Sequence, residues 1–148
     1  MLLGLVLLIS LSALGASFVF ATQPSYDIAS PHDRISEDKI HVYEDKIVID
    51  VQGASWATYA DTNSMDPVLD KGVNGIEIKP QGEDDLHIGD IVAYEPDKFR
   101  GLVIHRIVNI QEDEEGKYFT LQGDNNQNTD PEKVRFNQIQ WVLIGVIY

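Results

Sequence analysis

The sequence predicts a mainly β domain, folded as a barrel or sandwich, behind one N-terminal transmembrane helix. The first 22 residues are almost all apolar and carry no ionisable side chain. The remainder of the chain consists of short apolar segments separated by turn-forming residues. Short strands spaced in this way are typical of β-sandwiches and β-barrels. Only the N-terminal segment has the pattern of a long helix, so the rest is predicted to be β structure.

Residues 1–22 are predicted to form a membrane anchor. At ~1.5 Å per residue, a helix of this length spans roughly 30 Å, the thickness of the hydrocarbon core of a bilayer. The alternative is a cleaved secretory signal in which Val19 and Ala21 are the small residues before the cut. The segment has no basic n-region and a long apolar run, which favours the anchor. The acidic flank that follows permits the domain to lie on the extracytoplasmic side.

Residues 23–37 are rich in turn-formers and are predicted to be a linker, with a β domain over residues 38–148. The net charge of −13 argues against a nucleic-acid partner, because nucleic acids are bound mainly through lysine and arginine side chains. The absence of cysteine excludes disulfides, a thiol nucleophile and thiolate metal sites.

Alternating apolar residues and intervening turns predict the strands of the domain. They predict a hairpin over residues 40–51 and six further strands: Ser55–Tyr59, Gly75–Lys79, Ile91–Tyr94, Leu102–Ile110, Lys117–Gln122 and Trp141–Tyr148.

His105 lies inside the strongest predicted strand. Alternate residues of a strand share a face, so His105 is expected among Val103 and Ile107 and away from water. Burial disfavours the charged imidazolium, and a neutral imidazole can accept a proton from a hydroxyl. A single histidine on an apolar face is more often a core residue whose nitrogens bind the backbone, so this position alone does not define a site.

Two other polar features lie on either side of His105 in the sequence. Ser64 precedes Met-Asp-Pro after a predicted strand, where a serine often starts a turn, and it needs a base from elsewhere in the fold to become a nucleophile. Downstream, an Asp- and Asn-rich turn runs from Gly123 to Asp130. The turn lacks the glycine and glutamate of a calcium loop, and the histidines lack zinc spacing, so no metal is expected. One of its aspartates is a candidate partner for His105.

Four segments, taken in order, resemble the boxes of type I signal peptidases. Ser64-Met65-Asp66-Pro67 resembles the S-M-x-P nucleophile box, and Gly89–Tyr94 resembles the strand box that follows it. Ile104-His105-Arg106 resembles the next box in the archaeal and endoplasmic-reticulum branch, where histidine replaces the bacterial general-base lysine. Gly123–Asn126, together with Asp130, resembles the last box. The match runs from about residue 58 to the end of the chain.

The resemblance implies a signal-peptidase-like fold and a serine peptidase mechanism without a cofactor. Ser64 would attack the scissile carbonyl, and His105 would be the general base. Asp130 best matches the aspartate that partners the histidine, and Asp124 the one that shapes the site, although the residues themselves leave the choice open. Thr62 and the Ser64 backbone N–H would form the oxyanion hole.

The same resemblance implies the partners and the location. Substrates would be pre-proteins that carry signal peptides, with small residues at the −1 and −3 positions. The sequence does not identify the residues that bind them. The enzyme would be a single-pass protein of the cell membrane, held in the bilayer through residues 1–22, with its catalytic domain on the extracytoplasmic side.

Two departures from the family pattern keep alternatives open. Asn63 stands where glycine usually precedes the serine, and the segment between Val68 and Gly89 is acidic and irregular. Self-cleaving repressors share a serine-based β domain, but they use lysine as the base and carry a DNA-binding region. The main alternative is a membrane-anchored β domain that keeps the signature and acts as a non-catalytic binding or assembly module.

Overall fold

The computed structural model describes residues 27–148, and this part of the chain is mainly β. Its strands are β1 (Ile40–Val42), β2 (Ile47–Ile49), β3 (Ser55–Thr58), β4 (Asn74–Ile78), β5 (Ile91–Tyr94), β6 (Val103–Asp113), β7 (Gly116–Gln122) and β8 (Ile139–Ile147). Short 3-10 helices cover Glu37–Lys39, Glu83–Asp85 and Phe136–Gln138. The predicted anchor at residues 1–22 lies outside the described residues, and within residues 27–148 no helix has the length and apolarity needed to cross a bilayer.

The predicted strands are present; several of their ends differ by one residue, and two ends differ by more. β6 continues beyond the predicted end at Ile110 to Asp113, because its charged end pairs with β7 in a hairpin that aligns Asp113 with Gly116. β8 begins at Ile139, two residues before the predicted start. Backbone pairing with a neighbouring strand therefore extends both strands past the apolar segments that predicted them.

The strands form two antiparallel sheets. β1 and β2 pair only with each other, and the other six lie in the order β3-β4-β8-β5-β6-β7. The predicted barrel closure is not found in residues 27–148, since β3 and β7 are the two edges of an open sheet. The sequence predicts strands by their local alternation, whereas closure depends on pairing between distant segments.

Hydrophobic clusters cover both faces of the six-stranded sheet. Along β5, Val92 and Tyr94 belong to one cluster, whereas Ile91 belongs to a second cluster with Met65 and Leu143. Successive side chains of a strand point to opposite faces, so a strand covered on both sides has no solvent-facing position. All four residues of β5 are buried for this reason, including the polar side chain of Tyr94.

The described part of the predicted linker is docked on the β domain. Arg106 of β6 donates a hydrogen bond from Nη1 to the carbonyl of Ala29 at 3.2 Å. Arg34 pairs with the fully buried carboxylate of Asp90 at 2.6 Å. Residues 29–34 therefore form a strap that is held by Asp90, just before β5, and by Arg106 within β6.

Candidate active site

The loop after β3 presents Ser64, and its neighbour Met65 anchors it. Met65 and Leu69 are 2% and 4% exposed and pack in the second cluster, under β5 and β8. Ser64 itself is half-buried. Burying the residue after the serine fixes the loop against the sheet, which gives the Met of the S-M-x-P segment a structural role.

Asn63 adopts a left-handed backbone conformation with φ of 59°. Glycine enters this region without steric cost, and asparagine is among the few other residues that do so readily. Its carbonyl also accepts a hydrogen bond from Nδ2 of Asn125 at 3.0 Å. The departure from glycine is therefore compatible with the backbone that the serine loop requires.

The serine loop is joined to the turn that follows β7. The backbone N–H of Asn125 donates to the carbonyl of Ser64 at 3.0 Å. A Cβ atom on Gly123 would lie 2.5 Å from the same carbonyl oxygen, so only glycine permits this approach. Because Gln122 at the end of β7 pairs with Arg106 on β6, these contacts bring the serine loop to the strand that carries His105.

The Ser64 hydroxyl is paired with Thr62. The two oxygens, Thr62 Oγ1 and Ser64 Oγ, lie 3.2 Å apart. No hydrogen bond joins Ser64 to His105 in the part of the chain that the structure describes. In proteins without substrate, catalytic hydrogen bonds are often long and shorten in the complex. Ser64 and His105 therefore each have their own partner, Thr62 for the serine and Asp130 for the histidine.

His105 is held by Asp130 and Tyr94. His105 Nδ1 lies 2.7 Å from Asp130 Oδ2, and the Tyr94 hydroxyl donates to the same oxygen at 2.8 Å. A carboxylate only accepts hydrogen bonds, so Nδ1 carries the proton and Nε2 of a neutral ring is an acceptor. His105 is 7% exposed, as its place in the strand predicts. This arrangement leaves Nε2 as the atom that can accept a proton.

Tyr94 keeps its proton under all ordinary conditions. Burial raises the pKa of its phenol, and the neighbouring Asp130 carboxylate raises that pKa further. The hydroxyl is therefore a permanent donor to Asp130. Sequence reasoning assigned no role to Tyr94, because the residue closes an apolar strand and reads as part of the core.

Asp124 pairs with Arg106 and not with His105. Arg106 donates from Nε to Oδ1 at 2.7 Å and from Nη2 to Oδ2 at 2.6 Å. It also donates from Nη1 to the carbonyl of Gly89 at 2.8 Å. The sequence left open which of the two aspartates partners His105. In the structure, Asp130 contacts the histidine, and Asp124 binds the adjacent arginine.

A cleft of about 540 Å³ opens beside Ser64 and Thr62. Most of its walls are small or apolar side chains from β3, β5, β6 and the serine loop, including Ala57, Ala60, Leu69, Ala93, Val103 and Ile104. His105 itself is not among the lining residues, although Val103 and Ile104 of the same strand are. The sequence could not identify these residues because they come from separate strands.

One charged residue, Glu77, also lines the cleft. It is 5% exposed, and burial raises the pKa of its carboxyl. Sequence reasoning missed it because Ile76-Glu77-Ile78 alternates, which predicts that the glutamate faces solvent. Both faces of β4 are covered, however, and the glutamate is more buried than its two isoleucine neighbours.

The arrangement has the chemical parts needed for acyl transfer. It combines a hydroxyl in a cleft, an oriented imidazole with a free acceptor nitrogen, and a second hydroxyl two residues before the first. Across residues 27–148, no group of three or more His, Asp or Glu side chains is placed to hold a metal ion.

Comparisons with known proteins give no match: no family model, no curated protein and no solved structure is similar to this chain. The functional interpretation consequently depends on the order of the residues and on the geometry described above.

Proposed function

We propose that this protein is a membrane-anchored serine endopeptidase that removes N-terminal signal peptides from exported pre-proteins. One observation carries the proposal. The turn after β7 that ties down the backbone of Ser64 also leads to Asp130, whose carboxylate lies 2.7 Å from the ring of His105. The segments that resemble signal-peptidase boxes are distant in sequence, and a common site is what that function requires.

In the proposed reaction, Ser64 Oγ attacks the carbonyl carbon of the scissile bond while His105 Nε2 takes its proton. The Ser64 backbone N–H and the Thr62 hydroxyl stabilise the oxyanion. The intermediate then collapses to an acyl-enzyme as the imidazolium gives its proton to the leaving amine. Water, activated by the same nitrogen, releases the signal peptide from Ser64 and restores the enzyme.

The two aspartates have different roles in this proposal. Asp130 keeps the proton on Nδ1 of His105 and stabilises the imidazolium that forms during attack. Asp124 acts through Arg106, which it holds with two charge-assisted hydrogen bonds. Because Arg106 is the next residue after His105 in β6, this pair restrains the strand that carries the base.

The membrane setting of the proposal comes from residues 1–22 and from the family resemblance. An anchor would hold the site near the bilayer surface, where the cleavage site of an inserted pre-protein emerges, and would raise its effective concentration. Small residues at −1 and −3 suit the alanines that line the cleft, Ala57, Ala60 and Ala93. A signal-peptidase-like fold, with the domain on the extracytoplasmic side, belongs to the same proposal.

The test is cleavage of a labelled pre-protein by the detergent-solubilised full-length chain. Wild type is expected to cut at one site, and Ser64→Ala to give no product. Ser36→Ala is the matched control, since Ser36 is exposed and its side chain makes no capping hydrogen bond, and it should behave as wild type. Cleavage by Ser64→Ala would show that Ser64 is not the nucleophile. If wild type cleaves nothing in conditions where a known signal peptidase works, the proposed enzymatic activity is contradicted.

The second candidate function is a non-catalytic binding or assembly module. It is favoured by the pairing of Ser64 Oγ with Thr62 Oγ1 and the absence of a Ser64–His105 hydrogen bond in residues 27–148. A binding module is expected to retain labelled pre-protein without cutting it, and Ser64→Ala would leave that binding unchanged. The same experiment therefore separates the two functions.

A further inference from the structure

The cleft beside Ser64 contains a carboxyl group that is almost fully buried. Glu77 is 5% exposed, yet it lines the same cleft as Ser64 and Thr62. Its Oε1 accepts a hydrogen bond from the Tyr59 hydroxyl at 3.2 Å. Within the described residues Oε2 has no hydrogen-bond partner, and it is not sealed away from solvent. One oxygen of the carboxylate is therefore free for a ligand in the cleft.

The surrounding strands make room for this carboxyl and its tyrosine. A Cβ atom on Gly75 would lie 1.7 Å from the Tyr59 hydroxyl oxygen, so the glycine creates the space that the hydroxyl occupies. Gly75 and Glu77 are the two buried residues of β4, on the face toward Tyr59 and Leu143. The Glu77 carboxyl thus lies in the wall of the cleft, in a space that the neighbouring strands enclose, and is not a flexible surface group.

Within residues 27–148, no cationic side chain offsets the Glu77 carboxylate. Glu77 forms no ion pair within residues 27–148, and the cleft walls include no lysine, arginine or histidine. A buried carboxylate with only one neutral donor is costly, and a group of this kind that lines a cleft is a candidate functional position. Burial raises the pKa of Glu77, which reflects this cost.

We propose that Glu77 forms a subsite for a basic side chain of the substrate, lysine or arginine. The apolar walls suit the methylene stem of such a side chain, and the Glu77 carboxylate in the cleft wall suits its charged end. This subsite deepens the proposed function, on which it depends, by adding a basic residue near the cleavage site to the requirement for small residues at −1 and −3.

The experiment uses peptides that span the cleavage site of a substrate and carry lysine, norleucine or alanine at one position from −5 to −1. Norleucine has the stem of lysine without the charge. At one position, wild type should cleave the lysine peptide with a kcat/KM about tenfold above that of the norleucine peptide, the effect of one charge-assisted hydrogen bond. In Glu77→Gln that preference should disappear. Glu44→Gln, the same substitution at an exposed residue between β1 and β2, is the matched control and should retain it.

Binding to the Ser64→Ala protein, measured by fluorescence anisotropy, separates this subsite from the proposed activity. Lysine peptides should bind about tenfold more tightly than norleucine peptides even if wild type cleaves nothing. Glu77→Met provides a second substitution if the glutamine variant does not fold. The subsite is overturned if no position prefers lysine over norleucine, or if the preference persists when Glu77 is replaced.

Discussion

His105 Nδ1 and Asp130 Oδ2 lie 2.7 Å apart, and the Tyr94 hydroxyl donates to that same carboxylate oxygen. The two donors fix the orientation of Asp130, and Asp130 in turn fixes the tautomer and the plane of the imidazole ring. Tyr94 of β5 and Asp130 of the turn after β7 therefore together orient the imidazole ring of His105 on β6.

The two aspartates are expected to differ when each is replaced by asparagine. Asp130→Asn should lower kcat by about three to four orders of magnitude, because the amide stabilises the wrong tautomer of His105. Asp124→Asn should mainly lower the free energy of unfolding, by about 3 kcal/mol, because it leaves the buried Arg106 without its charged partner. Steady-state kinetics and urea denaturation measure the two effects. The reverse pattern, with turnover lost only in Asp124→Asn, would contradict the assignment.

Tyr94→Phe should lower kcat by about tenfold. The variant removes one of the two donors that fix the orientation of Asp130, and a hydrogen bond to a charged group is worth roughly 1.5–3 kcal/mol. Tyr118→Phe on β7 is the control and should leave kcat unchanged. Steady-state kinetics of the two variants measure the difference. A wild-type kcat in Tyr94→Phe would mean that the hydroxyl serves only packing.

Thr62→Val should lower kcat by about a hundredfold, with little change in KM. The hydroxyl is proposed to bind the oxyanion, and losing one such donor typically costs a hundredfold or more. Thr62→Ser keeps the hydroxyl and should retain most of the activity. Equal activity in the valine variant and wild type would remove Thr62 from the oxyanion hole.

Substitutions at Asn63 should follow the left-handed backbone. Asn63→Gly should be tolerated, because glycine adopts φ of 59° without strain. Asn63→Ala should lower the free energy of unfolding by about 1 kcal/mol, because alanine lacks the short polar side chain that makes the left-handed region accessible to asparagine. Thermal and denaturant unfolding of the two variants measure the difference. An alanine variant as stable as the glycine variant, or more stable, would show that the left-handed backbone does not decide the residue at this position.

Glu77→Gln should stabilise the protein at neutral pH. Burial raises the pKa of this carboxyl in the folded state, so the folded protein holds the proton more readily than the unfolded chain. The stability of wild type should therefore decline as pH rises from the unfolded pKa to the folded one. Glutamine cannot ionise, so the advantage of the variant should be largest near pH 7 and shrink towards about pH 4. Denaturant unfolding at both pH values measures the free energy of unfolding of the two proteins. The same difference between them at both pH values would contradict this prediction.

The elements of this fold were predictable where local pattern decides them. The strands follow from alternation and turn residues, and the burial of His105 follows from its place among Val103 and Ile107. Glu77 was not predictable, because alternation assumes one covered face and β4 is covered on both. The pairing of Asp130 with His105 also needed coordinates, since both Asp124 and Asp130 occur in a turn whose path the sequence does not give.

The strap formed by residues 29–34 would limit the distance between the proposed anchor and the cleft beside Ser64. Because Arg106 binds the carbonyl of Ala29, only residues 23–28 separate this attachment from the anchor proposed at residues 1–22. A fully extended chain covers at most ~3.5 Å per residue, so this short tether spans roughly 20 Å. If residues 1–22 form the proposed anchor, the proposed peptidase would reach only bonds that emerge within about one domain radius of the bilayer surface, and the depth of a bond would help to decide whether it is cut.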